Sequence, residues 1–337
     1  MSATQSNSSS SELTMAVLGC GTMGIAILSG ILAALDELPG SAGGAKPAAS
    51  GTSTPLYETA AVTRLPTRFI ACVKRPESVK KLNAAFAPHL SAVTIAQDAN
   101  VRSARDADLV LLACKPYMFK DILAEPGMAA ALEGKLLISI LAGVTEAQIV
   151  AALREANGGV PVPGCRVVRA MPNTASLIRE SMTVIGTSNP PLDPEALGLV
   201  TWIFKRIGDV VYLPPSTMDV CTALCGSGPA FFALVLEAAI DGAVAMGLPR
   251  AEAQRMAAQT MKGAAGLVLN GDHPALLRDK VSTPGGCTIG GLLVLEEGRV
   301  RGTVARAVRE ATVVASQLGQ GVQGVNGTRF PGSQLPQ

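Results

Sequence analysis

The chain has 337 residues and a formal net charge of +2, from 28 Lys and Arg against 26 Asp and Glu, which excludes a strongly basic, phosphate-tracking surface; at 3% aromatic content it also offers few platforms for stacking bases. Apolar residues make up 48%, glycine adds 35 positions, and charged residues at 16% fall below the roughly 25% usual in globular domains, so the chain carries more apolar surface than a monomer hides. A large core or a subunit interface answers that excess better than a membrane, because the longest apolar stretch, residues 230–248, is interrupted by Glu237 and Asp241.

At roughly 150 residues per domain, the length predicts two domains. The serine-rich residues 1–14 are expected to be a disordered start. Met15-Ala16-Val17-Leu18 then forms a short apolar run that ends in Gly19-Cys20-Gly21-Thr22-Met23-Gly24 and continues into a helical stretch over 25–35. Strand, glycine turn, helix is the order a dinucleotide site requires: the first glycine permits the tight turn, Gly21 lets the backbone approach a pyrophosphate, and Gly24 allows close helix–strand packing. The competing reading is a glycine-rich turn without a ligand, which would leave an anion site at the helix N-terminus with nothing to fill it.

Residues 39–67 shift to Gly, Ala, Ser, Thr and Pro and read as a low-complexity surface insertion. Asp36 and Glu37 lie at the end of the first helix, so neither is the acidic residue that would hold a ribose. The second strand is expected at 68–73, and its tip reads Lys74-Arg75-Pro76-Glu77-Ser78. Two cations and a hydroxyl stand there where an NAD site places a lone carboxylate, which favours the 2′-phosphate of NADP; a solvated basic turn is the alternative.

A helical pattern over 76–86 and apolar runs at 93–96, 109–114 and 136–141 continue the βαβ alternation, so residues 15–213 are expected to form an α/β, Rossmann-like, doubly wound sheet. Lys115-Pro116 and Ala142-Gly143-Val144 each follow a strand-like run, at the carboxyl edge where such sheets bind ligands. Met171-Pro172-Asn173-Thr174 closes a further strand. All three would also suit ordinary turns.

Strand-like runs stop after 210–213, and Ala-rich sequence with helical spacing takes over, which predicts an all-helical domain over 214–318. Pro229 marks a helix start, Met246-Gly247-Leu248-Pro249 closes that helix, and 251–269 and 290–318 supply further helical blocks. Residues 319–337, rich in Gly, Gln and Pro, read as a flexible tail. The densest cluster of polar groups is Asp279-Lys280-Val281-Ser282-Thr283-Pro284-Gly285-Gly286-Cys287-Thr288-Ile289, entering a helix. Three hydroxyls and two adjacent glycines there present donors to a carboxylate, whereas a plain N-cap needs one hydroxyl. Seven scattered Cys without a CxxC pair, and the lack of an N-terminal apolar signal core, fit a reducing compartment and place the protein in the cytoplasm. Only His89 and His273 are present, which argues against a zinc site.

In combination these motifs resemble the pyrroline-5-carboxylate reductase family over residues 15–318, the insertion apart. The run from Asp279 to Ile289 looks like that family's signature, supported by Gly226-Ser227-Gly228-Pro229-Ala230, Met246-Gly247-Leu248-Pro249, Lys115-Pro116 and Met171-Pro172-Asn173-Thr174. The resemblance implies that Leu18, Gly19, Cys20, Gly21, Thr22, Met23 and Gly24 line a dinucleotide together with the Lys74 and Arg75 tip, Asn100, Ala113, Cys114, Lys115, Pro116, Ala142, Gly143 and Val144. NADPH is the expected cofactor, with NADH as the alternative. It further implies that Val281, Ser282, Thr283, Gly285, Gly286, Cys287 and Thr288 hold the substrate's carboxylate and ring nitrogen, with Thr288 bonded to the nitrogen. The family usually has Ser at position 283 and a small or hydroxyl residue at 287; the Thr283 hydroxyl and the Cys287 backbone donor survive both changes.

The implied activity is the reduction of 1-pyrroline-5-carboxylate to L-proline by hydride from NAD(P)H, the last step of proline synthesis. An iminium is already electrophilic, which fits a substrate loop with hydroxyls and no His. The partners expected are the small substrate and a second copy joined through the helical domain, with neither nucleic acid nor membrane. Two rivals remain: a β-hydroxyacid or keto-acid dehydrogenase, which would need Lys262 or Lys280 as its acid, and a non-enzymatic NADP-sensing protein.

Overall fold

Alternating buried residues in the first strand set the architecture. In β1 (Glu12–Leu18), Met15 and Val17 face one side of the sheet and Ala16 and Leu18 the other, all fully buried, so both faces must be covered. The computed structural model describes residues 12–37, 64–320, 322, 325 and 327. Residues 1–11, most of the expected insertion and most of the expected tail lie outside the described residues.

After β1 the chain runs through α1 (Thr22–Asp36), β2 (Leu65–Val73), α2 (Pro76–Ala85), β3 (Val93–Gln97), α3 (Asn100–Asp106) and β4 (Leu109–Leu112). The short helices α4 (Phe119–Leu123) and α5 (Met128–Ala131) lead to β5 (Leu136–Ser139), α6 (Glu146–Ala156), β6 (Arg166–Met171), β7 (Ser181–Gly186), α7 (Pro194–Lys205) and β8 (Gly208–Leu213). The sheet order is β3-β2-β1-β4-β5-β6-β7-β8, and only the β6 and β7 pair is antiparallel. Strand order therefore reverses between β1 and β4, the position at which an open α/β sheet forms its ligand crevice. On one face Ile27 and Ile31 of α1 and Phe204 of α7 pack with Met15, Val17 and Phe69; on the other, Leu123, Ile149 and Leu153 pack with Ala16, Leu18 and Val110.

Two boundaries and two elements differ from expectation, for local reasons. The expected disordered start, residues 1–14, overlaps β1: Leu13 is buried, and the Thr14 N–H donates to the Asp108 carboxylate at 2.7 Å. The expected insertion, 39–67, likewise runs into β2, where Leu65 and Pro66 pair with Glu12 and Leu13; its Ser, Thr and Pro composition conceals the strand. β7 and α7 are absent from the sequence reading, although Asp193-Pro194 is a helix-start signal and the Asp193 carboxylate does accept from Ala196 N.

Described residues up to Met218 form one compact unit and those from Asp219 a second, so the division falls slightly beyond the expected 213–214. From α8 (Met218–Cys221) a π-helical turn over Thr222–Gly226 leads into α9 (Gly228–Ala245), with Pro229 in its first turn as expected. α10 (Arg250–Leu269) follows, then α11 (Pro274–Val281), which the sequence reading lacks. The expected block 290–318 is two helices, α12 (Cys287–Glu297) and α13 (Val300–Gly319), parted at Gly298 and at Arg299, whose φ is +54°. Within one chain this unit buries little: Leu234 is 67% exposed and Val294 66%. The stretch Pro215–Ala245, which begins just before this unit, is the one described segment long and apolar enough to cross a membrane. Asp241 in that stretch is ion-paired with Arg250 at 2.8 Å.

Candidate dinucleotide and substrate sites

The turn after β1 is held from below by a single oxygen. The carbonyl of Cys72, near the end of β2, accepts the N–H groups of both Gly19 and Cys20 at 3.0 Å, and Gly21 N–H closes back onto the Gly19 carbonyl at 2.7 Å. The three glycines occupy three different environments. Gly19 has φ +77°, and an added Cβ would lie 2.5 Å from the Cys114 Cα at the end of β4. At Gly24 a Cβ would meet Cys20 Sγ at 3.0 Å and Val17 Cγ1 at 3.1 Å, so that glycine serves helix–strand packing. Only at Gly21 would such a Cβ be free of a clash, its nearest neighbour being the Gly19 carbonyl at an ordinary 3.9 Å. Gly21 is also the N-cap of α1, which has no side-chain cap and no acidic residue in its first turn, whereas α6 is capped by Thr145 through a capping box with Gln148. The N–H groups of Thr22 and Met23 thus open onto a cradle that a side chain at 21 would fill, which fits a pyrophosphate.

The remaining expected cofactor residues converge on this same edge. Leu18 ends β1 and accepts from the Ala113 N–H at 2.9 Å, Cys114 lies against Gly19, and Lys115 is exposed at the head of a 3₁₀ turn begun by Pro116. Ala142, Gly143 at φ +72° and Val144 follow β5. Lys74 and Arg75 are exposed at the end of β2, and neither makes an ion pair among the described residues. Asn100 opens α3 with its side chain bonded at both ends: Cys72 Sγ donates to its Oδ1 at 3.2 Å, and its Nδ2 donates to Glu125 Oε1 at 2.6 Å. Sequence reasoning missed Cys72 and Glu125, because nothing in the spacing of positions 72, 100 and 125 brings them together. Burial pushes the Cys20 thiol up to about 12 and the Cys114 thiol to about 11, so both stay neutral beneath the turn and repel no anion. Asn173 takes the turn reading: its side chain accepts from Ala175 N at 3.0 Å.

The second cluster lies wholly in the helical unit. Val281 ends α11 and is exposed, and the Ser282 hydroxyl donates to the Arg278 carbonyl at 2.9 Å. Gly285 takes φ +67°, and Gly286 N–H donates to the Thr283 carbonyl at 3.0 Å. A Cβ on Gly286 would press against the Thr283 hydroxyl and lie 3.1 Å from the Thr283 carbonyl, so a side chain there would have to displace Thr283. Gly286 caps α12 without a side-chain bond, leaving Cys287 and Thr288 in a first turn free of acidic residues. Lys280 is tied to Asp272 at 2.6 Å.

A doubly wound sheet with an open glycine cradle at its switch point, joined to a helical unit, defines a Rossmann-type nicotinamide-dependent oxidoreductase. Residues 14–143 match the family model described as NADP oxidoreductase coenzyme F420-dependent, and residues 215–318 match that for pyrroline-5-carboxylate reductase dimerisation. The pyrroline-5-carboxylate reductase of Lophium arboricola is 68% identical, over 95% of this chain and 98% of that one. A solved structure of the Coxiella burnetii enzyme has TM-score 0.71 at 28% identity, over 91% of this chain and 98% of its own. That of Plasmodium falciparum pyrroline carboxylate reductase, with NADP bound, has TM-score 0.67 at 25% identity, over 91% and 98%. The chain belongs to the pyrroline-5-carboxylate reductase family.

Proposed function

We infer that the glycine turn holds NADPH and that the loop over 281–288 holds the imino acid, in the reduction of 1-pyrroline-5-carboxylate to L-proline. The reading is carried by one observation: of three glycines in the turn, only Gly21 has no protein atom to explain it. The N–H groups at the start of α1 bind the pyrophosphate, and the unpaired Lys74 and Arg75 bind the 2′-phosphate and favour NADPH over NADH. The cofactor supplies hydride to the C=N carbon when bound. A proton added to the ring nitrogen completes the amine, and NAD(P)⁺ is the second product. The protein's part is orientation: backbone N–H groups at the start of α12 meet the carboxylate, and the Thr288 hydroxyl meets the ring nitrogen.

No observation favours the hydroxyacid-dehydrogenase alternative, since Lys280 is already committed to Asp272 and Lys262 stands on α10. The apolar exposure of the helical unit is covered by a second copy, making the enzyme at least a dimer. All seven cysteines are free, which supports a reducing compartment and a cytoplasmic enzyme. The direct test is NAD(P)H consumption with the imine under steady-state conditions. Proline formation is expected; folded protein that gives no decay above the uncatalysed rate overturns the reading.

A further inference from the structure

The glycine turn hangs on Cys72, and Cys72 is itself held from the side. Its carbonyl takes the Gly19 and Cys20 N–H groups, while its thiol donates to Asn100 Oδ1, and Asn100 Nδ2 donates to Glu125 Oε1. A continuous chain of bonds, none longer than 3.2 Å, thus runs from the segment after α4, through the first residue of α3, to the turn after β1.

The direction of that chain is set at Glu125. A carboxylate only accepts, so an amide facing it must present its N–H, which leaves the amide oxygen toward position 72. There it meets a thiol, the one group on Cys72 that can donate to it. Reversing the Asn100 amide would set oxygen against oxygen at Glu125 and an amide N–H against the thiol at Cys72. Glu125 therefore fixes Asn100 in one orientation, and Asn100, beside Ala99 and Ser103, holds the side chain of the residue whose carbonyl, itself set within the sheet between β1 and β3, shapes the turn.

We propose that Glu125 is a positioning residue for the nicotinamide dinucleotide, acting through Asn100 and Cys72 on the backbone of the glycine turn. This rests on the reading that the turn holds the dinucleotide. Because the turn meets the pyrophosphate, which NADPH and NADH share, Glu125 acts on both cofactors alike. The Lys74 and Arg75 tip, by contrast, meets only the 2′-phosphate.

The test uses the full-length protein with Glu125→Ala, the isosteric Glu125→Gln, and Cys72→Ala, measuring Kd for NADPH and NADH, steady-state kinetics and Tm. Glu125→Ala is expected to raise Kd for both dinucleotides by about tenfold. Glu125→Gln, whose Oε1 still accepts, should raise it less, and kcat at saturating dinucleotide should stay within about twofold of wild type. Glu125→Ala combined with Cys72→Ala should be clearly less than additive, since both cut one chain. A lowered Tm with unchanged Kd would make the chain a structural latch and overturn the proposal, as would weakening toward NADPH alone. Should Glu125→Ala fail to fold, Glu125→Gln and Cys72→Ala carry the same comparison. Failure of the wild type to bind either dinucleotide would take down the reading of the turn as well; a wild type that binds, with variants that bind equally, removes only this inference.

Discussion

Gly19 runs so close to Cys114 that a Cβ on Gly19 would stand 2.5 Å from the Cys114 Cα, while Gly21, two residues later, has nothing nearer than 3.9 Å. The two glycines therefore answer to different demands: Gly19 to the fold and Gly21, on the proposed reading, to the dinucleotide. Gly19→Ala, at φ +77° and against backbone, is expected to cost about 2–5 kcal/mol of stability. Gly21→Val, at φ −86°, should fold with a near-normal Tm and weaken NADPH binding by at least about tenfold. Calorimetry with a dinucleotide titration separates them, and a Gly21→Val protein that binds NADPH like wild type would place the pyrophosphate elsewhere.

Arg75→Ala should raise the KM for NADPH about tenfold or more and leave that for NADH nearly unchanged, because the guanidinium has no carboxylate partner among the described residues and only NADPH brings it a phosphate. Equal effects on the two cofactors would reduce the tip to a solvated turn.

Much of this edge is legible in the sequence because it is local. An apolar run, spaced glycines and a helix follow one another without a break between Glu12 and Asp36, and the Lys74-Arg75 tip follows its strand directly. The grip on the turn is not local: Cys72, Asn100 and Glu125 meet only once three βα units have packed, and no spacing announces that. β7 and α7 escape for another reason. Ser181 and Thr183 are buried within β7, so its hydroxyls read as loop. In the helical unit, α11 is only eight residues long and His273 caps it through Nδ1, a cap that the usual Ser, Thr, Asp or Asn signal does not flag.

Thr288→Val should lower kcat/KM for the imine by about tenfold with dinucleotide Kd unchanged. The helix itself should not suffer, because Gly286 caps α12 and no side chain bonds there. Unaltered kcat/KM would move the nitrogen contact to another donor of the loop.

Stability should fall in alkali. Burial raises Cys20 from 9.0 to about 12, and Cys114 and Cys165 to about 11. Above pH 9 the unfolded chain releases protons that the folded chain keeps, so each thiol removes up to about 1.4 kcal/mol per pH unit until the folded value is reached. Below pH 9 these thiols are protonated in both states and contribute no slope. Urea midpoints measured between pH 8 and 11 should decline, and Cys114→Ala should flatten the decline; a level wild-type profile would mean that these thiols are not shielded.

Folding and association should be linked. With Leu234, Leu293 and Val294 more than half exposed in one chain, the Tm is expected to rise with protein concentration. Sedimentation that finds a folded, active 34.4 kDa species at micromolar concentration would defeat the proposed dimer.

The stretch Pro215–Ala245 gives the newly made chain a problem of address. By length and apolarity it satisfies the requirement for a membrane span, and alone it leaves most of its surface bare. Glu237, and Asp241 with its partner Arg250 at the start of α10, are what a bilayer would reject. Until the proposed second copy covers it, this apolar face is open to association with other apolar surfaces. A cell that makes this protein faster than the copies find one another should see losses to aggregation, and variants that weaken pairing should show them first as reduced yield and only afterwards as slower catalysis.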